Sequence, residues 1–135
     1  WSSRGAAFAD FDNDGDVDAA VNNMDGRPSL LINEGGSRSG NSVVLDLKGI
    51  KANRSAIGAR VVVETEDGKQ MQEVQGGSSY QACNDLRLHF GLGQNQFIKS
   101  VVVRWPGGQL QHFQKVAANL RYVLKEGEAL AVVRP

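Results

Sequence analysis

Gly58-Ala59-Arg60-Val61-Val62-Val63-Glu64-Thr65-Glu66-Asp67-Gly68-Lys69-Gln70-Met71-Gln72-Glu73-Val74-Gln75 reads as one β-hairpin. β-branched residues crowd its first arm. Asp67-Gly68 is the dipeptide that two-residue hairpin loops favour, because both central residues of such a turn need positive φ. A two-residue loop sets Glu66 opposite Lys69 and Val61 opposite Val74. That register puts an opposite-charge pair at the tip and an apolar pair deeper in.

The same grammar continues on both sides. Upstream, Val43, Leu45 and Leu47 alternate with Val44, Asp46 and Lys48. Downstream, Leu86, Leu88 and Phe90 alternate with Arg87 and His89, and Gly91-Leu92-Gly93 makes a turn. Ile98–Trp105 is dense enough in apolar residues to predict burial on both faces. Pro106-Gly107-Gly108 turns it into Gln109–Gln114, and residues 121–125 and 129–133 form a last hairpin over Glu126-Gly127-Glu128. Val116–Leu120 is the one plausible helical turn. Short strands separated by turn signals predict an all-β fold, an antiparallel β-sandwich or a small barrel, over residues 42–135.

The N-terminal segment is different in kind. Asp10-Phe11-Asp12-Asn13-Asp14-Gly15-Asp16-Val17-Asp18 places five carboxylates on alternate positions. Without a cation such a cluster repels itself; with one it is an oxygen cage of the kind Ca²⁺ accepts. Asp10, Asp12, Asp14 and Asp18 would offer carboxylates and Asp16 its backbone carbonyl, with Gly15 at the sharp turn. Mg²⁺ is disfavoured, since it keeps a water-rich octahedral shell. An EF-hand is excluded: its twelfth loop position needs a bidentate Glu, and here it is Val21. The short apolar flanks suit strands better, so the expectation is a calcium-loop β-hairpin, with a third strand at Ser29–Asn33. Gly35–Asn41 follows as a flexible linker.

Composition bounds the function classes. The chain has 135 residues, 41% of them hydrophobic and 22% charged, which is ordinary for a globular domain with a core. Net charge is zero, yet residues 1–25 carry six acids against Arg4. The basic excess elsewhere is scattered, so nucleic-acid binding has little support. No apolar run is long enough for a transmembrane helix, so no membrane insertion is expected. The chain opens on Trp1 in mid-pattern and reads as a piece of a longer protein. Cys83 is alone, cannot make an intrachain disulfide, and reads as a buried free thiol.

Other residues carry weaker signals. Arg87 and His89 on one strand face could bind an anion or a sugar hydroxyl, or could be a solvated face. His112 reads as a surface residue. Trp105, Tyr80 and Tyr122 could build a stacking platform for carbohydrate, although Trp105 before Pro106 also suits a core anchor at a strand end. No ordering of Ser, His and Asp or of Cys and His suggests catalysis. The exposed pair Glu64 and Glu66 lacks the desolvation that general acid chemistry needs. The chain is therefore not read as an enzyme.

Two resemblances sharpen the picture. Ala7–Asp18 resembles the calcium loop of FG-GAP/VCBS-type repeats, the blades of integrin-like propellers, and Asn33-Glu34-Gly35-Gly36 is similar to the end of such a repeat. Asn53-Arg54, Ile57-Gly58-Ala59-Arg60-Val61, Gly76-Gly77-Ser78-Ser79-Tyr80, Asn84–Gly93, Val101–Gly108, Asn119, Tyr122 and Glu126-Gly127 resemble the ASPIC/UnbV domain. That domain occurs in the cartilage acidic protein family and in bacterial secreted proteins. The resemblance divides the chain into a partial repeat over 1–36 and an ASPIC/UnbV-like domain over 42–135. It implies a secreted or cell-surface, calcium-binding role in adhesion or protein assembly. The partner would be a protein or a second copy joined through strand edges. A carbohydrate-binding module of a larger secreted protein is the alternative, and an accessory role in a natural-product cluster a second one. The three N-terminal strands cannot cover Phe8, Phe11, Val21, Leu30 and Ile32 by themselves, so they must dock on the 42–135 domain or on another copy.

Overall fold

The computed structural model describes residues 2–35 and 40–133. The described residues are all-β, with eleven strands in three sheets and no closed barrel among them. Strands β1 (Ser2–Ala9), β2 (Asp18–Met24) and β3 (Ser29–Leu31) form a small antiparallel sheet in the order β1-β2-β3. Most of the linker expected over 35–41 lies outside the described residues.

The other eight strands form the expected sandwich. One sheet runs β11-β10-β4-β7, from Ala131–Val133, Arg121–Lys125, Asn41–Lys48 and Leu88–Gly93. The other runs β6-β5-β8-β9, from Lys69–Glu73, Arg60–Glu64, Phe97–Arg104 and Leu110–Ala117. Between them lies one apolar core, in which Leu45, Phe90 and Leu124 of the first sheet meet Val61, Val63, Val101 and Val103 of the second. Tyr122 and Trp105 are buried in it. The Tyr122 hydroxyl donates to Ala117 O at 3.0 Å, and burial raises its pKa.

Four expectations are corrected. The Asp67-Gly68 hairpin pairs Glu64 with Lys69 and Val61 with Gln72, so its loop is two residues longer than expected. Parity survives, because a shift of two leaves every side chain on its own face. The tip keeps an ion pair, now Glu64 with Lys69 at 3.5 Å, while Glu66 turns to Lys99 at 2.8 Å. Second, β8 is not covered on both faces: Lys99 and Arg104 are exposed. The doubly covered strand is β4, where Val43 to Leu47 are all buried. Third, Val116–Leu120 is not helical; β9 runs to Ala117 and Asn119 takes φ +59°. Fourth, Gly91-Leu92-Gly93 ends β7 instead of forming a separate turn.

The antiparallel pattern also has one exception. β4 and β10 pair in parallel, Val44 opposite Arg121 through Lys48 opposite Lys125. The pair is stitched at one end by Asn119, which receives Ser42 N at 3.1 Å on its Oδ1 and donates its backbone N–H to Ser42 O at 2.6 Å. At the other end the Glu126 carboxylate accepts the N–H groups of Ile50, Lys51 and Ala52 at 2.8, 2.7 and 2.8 Å.

A candidate cation site at the sheet–sandwich junction

The acidic loop joins β1 to β2, where Ala9 pairs with Asp18, so strands flank it as expected. Its carboxylates turn inward because they cap the loop's own amides. Gly15 N donates to Asp10 Oδ2 at 3.2 Å, Asp14 N to Asp12 Oδ1 at 3.3 Å, and Asp16 N to Asp14 Oδ1 at 2.9 Å. Asn13 and Gly15 take φ of +62° and +99°, which lets the chain reverse so tightly. Asp18 closes the loop, receiving Phe11 N and Asn33 N at 2.8 Å each.

Asp10, Asp12 and Asp18 can present one oxygen each with all three within 4.8 Å of one another. Asp10 is only 5% exposed, and its Oδ1 is buried without a hydrogen-bond partner. A buried anionic oxygen with no partner is costly unless a cation completes it. The donor set fits a hard ion, being all oxygen and strongly anionic. Asp14 stands outside the close group, and with Asp16 it lines an adjoining cavity of about 510 Å³. Opposite them the cavity is walled by Asn41, Ser42, Asn119 and Arg121.

The electrostatics follow the hydrogen bonds. The amides of Asn33 and Phe11 hold the Asp18 carboxyl below the usual carboxylate range, against the opposing effect of burial. At Asp12 the Asp14 amide pulls downward, but burial and the charges of Asp14, Asp18 and Asp10 outweigh it and raise the pKa. The three charge contributions are the mutual repulsion expected of gathered carboxylates.

Arg87 and His89 do not form a solvated face. Arg87 Nη2 donates to Asp10 O and Nη1 to Asn13 Oδ1, both at 2.9 Å, while Nε meets the Asp85 carboxylate. His89 lies beside it, its ring nitrogens buried and Nε2 3.9 Å from the Asp85 carboxylate; burial, then the Arg87 charge, lowers its pKa. The junction is completed by Asp85 N donating to Phe8 O at 2.8 Å and Phe8 N to Asn84 Oδ1 at 3.1 Å. Gly5 fits under Tyr80, where an added Cβ would come within 2.6 Å of the Tyr80 carbonyl oxygen.

The aromatic platform is corrected. Trp105 is 1% exposed, its Nε1 donating to Gln111 Oε1 at 2.9 Å, so it is the core anchor. With Tyr122 also buried, Tyr80 alone presents an open ring, at 61% exposure. Cys83 is exposed, not buried. His112 is exposed as expected.

A model of the family described as ASPIC and UnbV matches residues 49–131. The chain belongs to the ASPIC and UnbV family. It is also similar to cartilage acidic protein 1 of Xenopus tropicalis, 31% identical over 108 residues. That match covers 78% of this chain and 16% of the relative, so the chain spans about a sixth of the curated protein's length. The family match begins beyond the acidic loop, yet Asn84, Asp85 and Arg87, which hold β1 and the loop, lie within it. Asn53, Asn119 and Glu126, all within the matched range, serve structure in this ASPIC/UnbV member. Asn53 pairs its side-chain amide with the backbone of Ile57 at 2.9 Å in both directions. Among the described residues no helix is long and apolar enough to cross a membrane.

Proposed function

We propose that this chain is a non-catalytic, calcium-binding part of an exported protein that acts in adhesion or protein assembly. The observation that carries the reading is the orphaned, buried Asp10 Oδ1 inside a convergent set of carboxylates. Ca²⁺ would be held by Asp10, Asp12, Asp14 and Asp18 and the Asp16 carbonyl, as in the FG-GAP/VCBS-type loop it resembles. The ion would offset the mutual repulsion of these groups. An extracellular setting agrees with sites of the 10⁻⁴–10⁻³ M affinity class and with the name of the cartilage relative.

Assembly is supported by what the small sheet leaves open. Phe8, Phe11, Leu30, Leu31 and Ile32 are all exposed, and β1 and β3 are edge strands. The carbohydrate reading is weaker, since two of its three aromatic rings are buried.

Calorimetric titration of the chelator-stripped protein tests the metal reading. One binding event is expected, and saturating Ca²⁺ should stabilise by roughly 2.7 kcal/mol at 100 times Kd. EDTA should lower the melting temperature correspondingly, and Asp10→Asn should abolish the difference. No heat at millimolar Ca²⁺ would overturn it.

A further inference from the structure

We propose that Arg87, a residue of the sandwich, is the positioning residue of the cation loop, so that ion binding and docking of the N-terminal sheet are one coupled event; this rests on the calcium reading above. The loop's internal bonds, from Asp14 N on Asp12 to Phe11 N on Asp18, tie the loop only to itself. Among the attachments that reach it from elsewhere in the chain are Asn33 N on Asp18, from the end of β3, and Arg87, from the sandwich. Arg87 grips the loop twice. One arm of its fork holds the carbonyl of Asp10, the residue whose other side carries the orphaned oxygen. The second arm holds the Asn13 side chain at the left-handed turn. Asp85 fixes the third donor, so the planar guanidinium cannot swing away. Arg87 is well covered, its side chain 15% exposed.

The sign of the effect separates positioning from mere proximity. As a nearby positive charge, Arg87 would repel Ca²⁺, and its removal should tighten binding. As a brace, it orders the loop before the ion arrives, and its removal should weaken binding because ordering is then charged to the binding step. Arg87→Gln removes the charge and the fork. Arg87→Lys keeps the charge and loses the fork. Positioning predicts weaker calcium binding in both, by about ten-fold or more, given the strength of charge-assisted hydrogen bonds. Coupling is reciprocal, so calcium should also slow exchange of the Asp85 amide, which donates across the junction to Phe8.

The full chain is titrated with Ca²⁺ alone, with melts in EDTA to establish that each variant is folded. Weakened binding in both variants, with slower Asp85 exchange in calcium-loaded wild type, is the expected result. Unchanged or tighter binding in Arg87→Gln, or wild-type affinity in Arg87→Lys, overturns the proposal. If the Arg87 variants do not fold, Asn13→Gly serves: glycine tolerates the φ of +62° and only the Nη1 acceptor is lost. Its affinity should fall, and unchanged affinity would overturn the proposal. Failure of the calcium reading shows differently, as no heat in the wild type before any variant is made.

Discussion

Glu126 is a single carboxylate that holds a whole connection in place. Its Oε2 collects three successive N–H groups from residues 50–52, none of which could find a strand partner where β4 ends. The Ala52 and Ile50 amides, with the amide and charge of Lys51, hold its pKa below the ordinary 4.5 despite burial. A depressed folded value means that the unfolded chain takes up the proton first on acidification. Its stabilising contribution is therefore complete above about 4.5 and fades as pH falls through the folded value. Asp18 has the same sign, its two backbone donors lowering it from 3.8. Glu126→Gln should lower the melting temperature at pH 7 and flatten the acid limb of a stability-versus-pH curve. Equal losses at pH 7 and pH 3 would show that the charge is not what matters. The spacing of Glu126-Gly127 marked a turn and a family motif, but nothing local to it told that its partners sit some seventy-five positions earlier.

At the scale of elements, the free edges of the sandwich are closed by side chains on one flank. Gln72 and Gln70 of β6 reach across to β7 and donate to His89 O and Gly91 O, each at 2.6 Å. They act as rungs between two sheets that share no backbone ladder there. Gln70→Ala and Gln72→Ala should each cost about 0.5–1.5 kcal/mol in urea unfolding, since each removes one bond and leaves a carbonyl to water. Cost well below that range would mean the rungs are cosmetic. Local pattern revealed most of these strands, including the inward face of β5, because alternation depends on parity alone. It misjudged the hairpin loop because Thr65 N bonds Gly68 O, an interaction the Asp67-Gly68 signal does not encode. It could not show the β4–β10 pairing, whose strands lie far apart in sequence, or that Arg87 faces the acidic loop. For Arg87 the only visible hint was charge: one basic residue flanking Asp85, opposite in sign to a loop with five acids.

Considered whole, the molecule is asymmetric. The sandwich encloses an apolar core, although Ile50, Met71 and Phe97 stand exposed on it; the small sheet adds no residue to that core and exposes Leu30 and Leu31 at 57% and 58%. The intrachain route of docking is present at Phe8, Asn84 and Arg87, but it covers only part of that sheet. Self-association should therefore be concentration-dependent and pass through this sheet. Light scattering across a dilution series should detect it, and Leu30→Ser with Leu31→Ser should suppress it while leaving the melt of the sandwich intact. A strictly monomeric protein at high concentration would argue against assembly through the sheet.

The parallel pairing of β4 with β10 has a consequence for how the chain comes into being. A strand made at positions 41–48 must wait for one made at 121–125 before its second edge is satisfied. Between the two, during synthesis, β4 offers Val44 and Asp46 to solvent along an unmated edge. Long loops must close before such a contact gives anything back, so folding is expected to be slow and late, completing only when the final hairpin has left the ribosome. Until then the nascent chain is a sheet lacking the two strands of one side, and the interval is when it most needs shelter from its neighbours.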